Sequence, residues 1–382
     1  MDQHRSGTYI KQLTGYKAFI PATLPPKPPV VIQGELLNLL SSADMSLARL
    51  DGLGYILPNT SLFIAMYVKK EAVLSSQIEG TQASLGNLFE YEHGEKLDNI
   101  NDVAEVVNYV KALNYGMERL KDFPMSLRLI KEIHAILMEG VRGADKTPGE
   151  FKKSQNWIGP PGCTLNDARF VPPPPHETEV AMAALESYLH QPLQLPVLVN
   201  CALIHYLFET IHPFLDGNGR LGRLLITFYL HWQGVMAKPL LYLSYYFKKY
   251  RQEYYDRLNM VRDSGDFEQW IAFFLKGVVV TANSAVDAAK QIMELQSCHR
   301  NLLWQNKLSS PLAVGILEKL YLTPYVSVKD IAGEFAISYQ AASTLTSQLE
   351  GLGILKEITG RKRDKRYIYA DYLYILEEGT KL

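Results

Sequence analysis

The sequence offers little for a covalent or thiolate framework. Its 382 residues include three cysteines, Cys163, Cys201 and Cys298, odd in number, far apart and in no CxxC pairing. That argues against a disulfide scaffold or a thiolate zinc site and points to a reducing compartment. There is no excess of charge either. Against 39 Lys+Arg stand 40 Asp+Glu, a net charge of −1, so no global field recruits nucleic acid or an anionic membrane, and any such binding must be local. Long apolar runs are missing: stretches such as Leu62 to Val68 fall far short of the roughly 18 residues a membrane helix needs. The opening MDQHRSGTYIKQLTG lacks the apolar core of a signal peptide. The expectation is a cytoplasmic protein with no membrane partner. What the chain does have is 47% hydrophobic and 11% aromatic residues, the composition of a folded protein of two or three domains.

Residues 1–33 end in PATLPPKPPV, whose prolines remove backbone donors and fix φ, so this segment reads as an extended, Pro-rich arm. From 34 to 120 the pattern is helical, with Val103, Val106, Val107, Val110, Leu113, Met117 and Leu120 recurring at three- and four-residue spacing. Ser126 is placed to cap the next helix, which carries Leu127, Ile130, Ile133 and Leu137 on one face. A long Gly- and Pro-rich interruption at 150–175 holds two short β-like pieces, Gln155–Ile158 and Arg169–Val171. A loop of this length inside a compact domain is usually functional. Helical periodicity resumes near Thr178 and runs, with breaks, to about 300. From Leu308 two short helical patterns, Val328–Phe335 and Tyr339–Glu350, each follow a serine, with Ser327 and Asp330 spaced as a capping box. GILKEI, TGRKRDK and RYIYA then read as strand, turn and strand, so 308–382 resembles a winged helix-turn-helix.

One stretch carries chemistry: His212-Pro213-Phe214-Leu215-Asp216-Gly217-Asn218-Gly219-Arg220-Leu221-Gly222-Arg223. Apolar helical stripes flank it, Leu203, Leu207 and Ile211 before and Leu224, Leu225, Phe228 and Tyr229 after. Pro213 and the glycines therefore mark a tight loop between two buried helices. Gly217 and Gly219 allow successive N–H groups to converge on an anion at the N-terminus of the second helix. Arg220 and Arg223, three apart, can face the same anion. Asp216 is a hard oxygen ligand of the kind Mg²⁺ takes together with phosphates, and His212 can accept a hydroxyl proton. Taken singly, a histidine before proline is usually structural, Gly-Asn-Gly a turn and an Arg pair a solvated face. A zinc site at His212 and Asp216 is disfavoured by their irregular spacing and the lack of a third ligand. The combination within twelve residues is what points to phosphate chemistry.

The stretch matches the Fic motif, HxFx(D/E)GNGRxxR, at every defining position, and the resemblance extends over roughly residues 10 to 300: Ala202 to Ile211 resembles the helix leading into the motif, and LLYLSYYFKKYRQEYYDRLNMV those that follow. The resemblance implies a mainly α fold: a Fic helical bundle at 121–300 with a β-hairpin flap at 150–175, preceded by the helical region 34–120 and followed by a small α+β winged-helix domain at 308–382. It implies transfer of AMP from ATP, with Mg²⁺, to a Tyr, Thr or Ser hydroxyl of a protein. His212 would be the base, Asp216 the metal ligand, and Gly217, Asn218 and Gly219 the binders of the α- and β-phosphates. Arg220 would support the departing pyrophosphate, and Arg223 the γ-phosphate. The flap would pair with the target as an added strand, and Asn156, Trp157, Ile158 and Gly159 in it would line the nucleotide site. Tyr250 stands where relatives often carry Asn; it and Tyr254 are the candidate base contacts.

Upstream, Ser75-Ser76-Gln77-Ile78-Glu79-Gly80 matches the family's inhibitory pattern (S/T)xxxE(G/N), at the end of a helix spanning about 62–80. The resemblance implies that Glu79 pairs with Arg223 and competes with the γ-phosphate; in some relatives this glutamate also positions water to remove AMP. The outward residues of the last helix, Tyr339, Gln340, Ser343, Thr344 and Ser347, carry no positive charge, whereas Lys356, Arg361, Lys362, Arg363, Lys365 and Arg366 gather in the wing. DNA binding is therefore the lesser expectation for this module, behind substrate docking or homodimerisation. Two alternatives to the AMP-transfer reading are a DNA-binding regulator with a nucleotide-sensing core and a transferase using another phosphate-containing donor. The intact Gly-Asn-Gly-Arg run favours ATP over other donors, because kinase-like variants replace the second glycine with lysine.

Overall fold

The computed structural model describes residues 5–13, 15–56, 60–92, 98–160, 162–361, 364–377 and 380. The chain begins with an antiparallel hairpin of β1 (Gly7–Lys11) and β2 (Lys17–Pro21), then enters α1 (Glu35–Ile56), α2 (Thr60–Ile78), α3 (Leu85–Glu92), α4 (Ile100–Arg119) and α5 (Leu127–Leu137). After the flap segment come α6 (Pro175–Leu189), α7 (Val197–Ile211), α8 (Asn218–Trp232), α9 (Ser244–Lys249), α10 (Arg251–Ser264) and α11 (Phe267–Gln305). The C-terminal part is α12 (Pro311–Leu322), β3 (Tyr325–Ser327), α13 (Val328–Glu334), α14 (Tyr339–Gly351), β4 (Lys356–Glu357), β5 (Arg366–Ile368) and α15 (Ala370–Leu376). Its three strands pair antiparallel in the order β3-β5-β4.

The centre of the bundle is α7. Every residue from Leu198 to Ile211 is buried, so its polar side chains must find partners inside the protein. His205 lies between the Gly222 carbonyl at 3.0 Å and the Tyr254 hydroxyl at 2.8 Å. Burial pushes that imidazole down to about 3, so it is neutral. Helix α8 turns back against α7, and α4 crosses α8 at Gly116. The 39-residue α11 packs along α1 and α7 and runs on to α12 and α15, joining the bundle to the C-terminal module. By length and composition α11 could cross a membrane; here most of that apolar stretch is buried as core.

Local signals hold where side chains cap the backbone. Ser126 accepts from the Leu129 N–H, and Ser327 and Asp330 form a reciprocal capping box. Three features depart from the sequence reading. Residues 7–21 form a hairpin rather than an extended arm, because Ala18 and Phe19 are fully buried and the Phe19 N–H pairs with the Val171 carbonyl at 2.9 Å. Among its described residues the flap has one bridge, Ile158 with Phe170, in place of two strands. The prolines after Val171 supply no donors, and the Val171 carbonyl is taken by Phe19. Helices α12 and α15 were not anticipated; both bury aromatic and aliphatic faces in the C-terminal core. Lys362 and Arg363 lie outside the described residues.

The α4–α8 crossing gives a test. A Cβ at Gly116 would fall 2.3 Å from Phe228 Cζ and 2.5 Å from Cε1. Helix propensity alone favours alanine by about 1 kcal/mol, but overpacking a filled core costs about 1–3 kcal/mol. Gly116→Ala should therefore lower the denaturant midpoint by the equivalent of up to about 2 kcal/mol. A raised midpoint would show that the crossing has slack.

Candidate active site

Helix α7 ends at His212, held in the left-handed region at φ 49°, and α8 begins after Gly217 at φ 76°. Gly217 has no substitute here, since a Cβ would stand 2.6 Å from Met138 Sδ. The loop between the helices is held by side chains. Asn218 Oδ1 accepts from the Phe214 N–H and its Nδ2 donates to the Phe214 carbonyl, both at 2.8 Å. His134, on α5, accepts from the Gly149 N–H through Nδ1 at 2.8 Å and donates from Nε2 to the Asp216 carbonyl at 2.9 Å. Its ring stacks on Phe214 at 3.7 Å, and burial pushes its pKa down to about 4.

A cavity of about 560 Å³ opens beside this loop. Trp157, Ile158, Gly159 and Phe170 of the flap form one wall and Tyr254, Tyr255, Leu258 and Arg262 of α10 another; Glu209, His212, Gly219, Arg223 and Glu79 close the inner end. Arg262 lies over the Phe170 ring at 3.8 Å, tying the two walls together. Trp157 is exposed at the rim, its indole donating to the Cys163 carbonyl. Among the described residues, His212 Nδ1 and Glu209 Oε1 are buried without a hydrogen-bond partner.

Arg223 is almost wholly buried and turned to the end of α2. Its Nε donates to Ser75 Oγ at 2.8 Å, and its Nη2 donates to the Ser75 carbonyl at 2.9 Å and to Glu79 Oε1 at 2.7 Å. Gly80, at φ 96°, makes the turn that ends the helix. The Glu79 carboxylate reaches over Gly219, where a Cβ would lie 2.2 Å from Oε1. An internal carboxylate thus sits beside the first turn of α8, where the backbone favours an anion.

Several expected positions fall elsewhere. Arg220 does not converge with Arg223: it is buried and donates to Glu105 Oε2 at 2.9 Å, an oxygen that also accepts from Thr81. Asn156 does not line the cavity; its amide donates to the His212 and Phe214 carbonyls at 3.0 and 2.8 Å. The Asn218 side chain is likewise committed to the loop. The Gly217 N–H, expected to face a phosphate, donates to Asp216 Oδ1 at 2.7 Å. Tyr250 stays outside, exposed at the start of α10 and packed on Tyr246 at 4.7 Å, because the α9–α10 junction turns its ring away. Tyr254 lines the cavity with its ring, its hydroxyl being bonded to His205. Sequence reasoning passed over Glu105, His134, Lys152, Glu209 and Arg262; each lies outside the short motif, and no local signal distinguishes them.

Asp216 is partly exposed and lies 3.2 Å from Lys146 Nζ. Among the described residues no group of three or more His, Cys, Asp or Glu side chains is placed to hold a metal. A single accessible carboxylate fits an ion held mostly by phosphate oxygens and water, as Mg²⁺ is, and does not fit a structural zinc.

Comparison with known proteins agrees with this geometry. Residues 37–118 match the Fic/DOC family N-terminal model and residues 124–230 the Fic/DOC family model. The chain is 31% identical over 182 residues to the protein adenylyltransferase Fic of Aedes aegypti, covering 47% of this chain and 33% of that one. It is 28% identical over 180 residues to a probable protein adenylyltransferase of Aquifex aeolicus, covering 46% of this chain and 51% of that one. The chain thus spans about a third to a half of the length of these curated relatives. Among solved structures, a Fic family protein from Desulfovibrio desulfuricans shares the fold over 89% of this chain and 97% of that one, with a TM-score of 0.59 at 19% identity. The two family models match almost back to back across Glu79 and the His212 loop, and over these residues the chain carries the N-terminal and catalytic-core domains of the Fic/DOC family.

Proposed function

We propose that the protein is a protein adenylyltransferase, moving AMP from Mg-ATP to a Tyr, Thr or Ser hydroxyl of itself or another protein, with Glu79 as a built-in brake. The observation that carries this reading is the Arg223–Glu79 pair at 2.7 Å, on the inner wall of the cavity that also presents His212. An anion-binding guanidinium is held by an internal carboxylate beside a candidate base. The names of the relatives and the match to the Fic model support the activity at the level of the family.

The target oxygen would attack the α-phosphorus while His212 takes its proton, and the bond from that phosphorus to the bridging oxygen would break, releasing pyrophosphate. Burial, aided by the Lys152 charge, pulls His212 down to about 3, so the imidazole is neutral and has a ring nitrogen able to accept a proton. Asp216 is the residue that would hold Mg²⁺, which supplies charge neutralisation on the phosphate oxygens. Arg223 would take the γ-phosphate once Glu79 lets go. Arg220 would reach the pyrophosphate after exchanging Glu105.

Burial opposes the charge on Glu79, but Arg223, with Arg220, outweighs it and holds the carboxyl below its ordinary value. The brake is therefore charged throughout the neutral range. Glu209 behaves oppositely: burial, together with Glu79, raises it to about 7 against the pull of Arg223 and Arg262. Near neutrality Glu79 is the fully ionised carboxylate beside Arg223, while Glu209 is only partly ionised.

In the C-terminal module the order of helices and short antiparallel strands supports the winged-helix reading, and the face of α14 bearing Tyr339, Gln340, Thr344 and Ser347 is exposed. Its lack of Lys and Arg supports a docking surface for the target or for a second copy over a DNA reader. Three free cysteines, Cys163, Cys201 and Cys298, suit the cytoplasm.

Radiolabelled AMP transfer tests the assignment. If pairing favours the held state by ~3 kcal/mol, under 1% of molecules have Arg223 free, so Glu79→Gly should raise transfer on the order of 100-fold. His212→Ala in that background should lower it at least ~10²-fold. Equal rates in all three proteins would reject the roles. A second prediction follows from Glu209. Its folded-state value is raised, so its contribution to stability is fully present below the unfolded value near 4 and is lost as pH rises through about 7. Glu209→Gln keeps the neutral form. Its stability advantage over the parent should grow between pH 5 and 8, to the order of 1–2 kcal/mol in urea unfolding; a pH-independent difference would contradict the assignment.

A further inference from the structure

The last turn of α7 and the loop after it present four successive carbonyls, those of Ile211, His212, Pro213 and Phe214. A helix end leaves such groups without intrahelical partners, and inside a protein they must be satisfied by something. Here one short piece of the flap segment does it. Lys152 Nζ donates to the Ile211 carbonyl at 3.2 Å, to the His212 carbonyl at 3.0 Å and to Asn156 Oδ1 at 2.8 Å. The Lys152 main-chain N–H donates to the Pro213 carbonyl at 2.8 Å, and Asn156 Nδ2 donates to the His212 and Phe214 carbonyls. All three ammonium protons of Lys152 are used, on oxygens that carry no formal charge.

We infer that Lys152 is a positioning residue for His212, fixing the left-handed turn from which the imidazole is presented to the cavity. The inference rests on the transfer reading above and assigns it a residue outside the motif. Lys152 is 2% exposed and its acceptors include no carboxylate. A buried ammonium without a counter-ion is an expensive way to satisfy carbonyls, and burial brings its pKa down to about 7. What offsets this is location. A cation at a helix C-terminus interacts favourably with the helix dipole, and His212 in its left-handed conformation has no helical bond with which to fix its own carbonyl. The charged groups facing His212 come from three places: Lys152 from the flap segment, Arg262 from α10 and Glu79 from the end of α2. The two cations disfavour the imidazolium and the carboxylate favours it. Removing the brake therefore leaves Lys152 and Arg262 as the charges that keep the imidazole unprotonated.

The test uses full-length Glu79→Gly protein carrying either Lys152→Met, which keeps the stem and loses the donors, or Lys152→Arg, which keeps charge and donors. Mg-ATP affinity is read by calorimetry, kcat by AMP transfer, and the His212 titration by histidine-labelled NMR. For Lys152→Met the expected result is a nucleotide Kd within about 3-fold of the parent and a kcat at least ~10-fold lower, the size of effect that small misplacement of a reacting group produces. The His212 midpoint should move upward. Lys152→Arg should keep kcat within about 5-fold and keep the midpoint low. A Lys152→Met protein with parental kcat and an unmoved His212 midpoint would overturn the inference. So would a folded Lys152→Arg protein that loses kcat and shifts the midpoint, and this variant decides the matter if Lys152→Met does not fold. Absence of AMP transfer in the parent Glu79→Gly protein would instead sink the transfer reading, while the His212 titration, which needs no turnover, would still judge Lys152.

Discussion

A guanidinium buried at the heart of a helical bundle cannot be left without partners, and the disposition of Arg223 governs the architecture around it. In the structure its partners are the last turn of α2 and the carboxylate just beyond, Ser75 and Glu79. The same constraint explains the glycines nearby. Gly80 turns the chain so that Glu79 can point inward, and Gly219 is bare so that the carboxylate can lie against α8. The anion site at the start of α8 is thereby filled from within.

Helix α2 is not a loose appendage. Residues 70–78 are all buried, and Glu71 within it accepts from the Ser244 hydroxyl and from the Tyr109 hydroxyl, joining α2 to α9 and α4. Burial raises Glu71 to about 7 despite these bonds. Further along, Gln77 donates to the Ala83 and Thr380 carbonyls, and Phe89 of α3 stacks on Tyr325 at 5.4 Å. With α2 anchored along its length, the part free to change is the exposed turn at Glu79 and Gly80.

How much of this was legible beforehand divides along a physical line. Features written in neighbouring residues were readable: the caps at Ser126 and Ser327, the helical stripes of α4 and α5, and the loop at His212–Gly217; the pairing of Glu79 with Arg223 was expected only from the family resemblance. Features decided by distant contacts were not. Nothing near Phe19 says that Val171 will accept its N–H, so the arm read as extended. Arg220 and Arg223, three apart on one helix, looked like a pair; Glu105, more than a hundred residues away, separates them. Asn156 and Asn218 carry the chemistry of ligand contacts, yet their amides are committed to loop carbonyls. Lys152 had no motif to announce it.

The central claim is that one guanidinium is contested by an internal carboxylate and by the tail of a triphosphate. Calorimetric titration of Mg-ATP into the parent protein and into Glu79→Gly measures that competition without requiring a target or turnover. The account predicts Mg²⁺-dependent binding that is markedly tighter in the variant, and indistinguishable isotherms for the two proteins would contradict it.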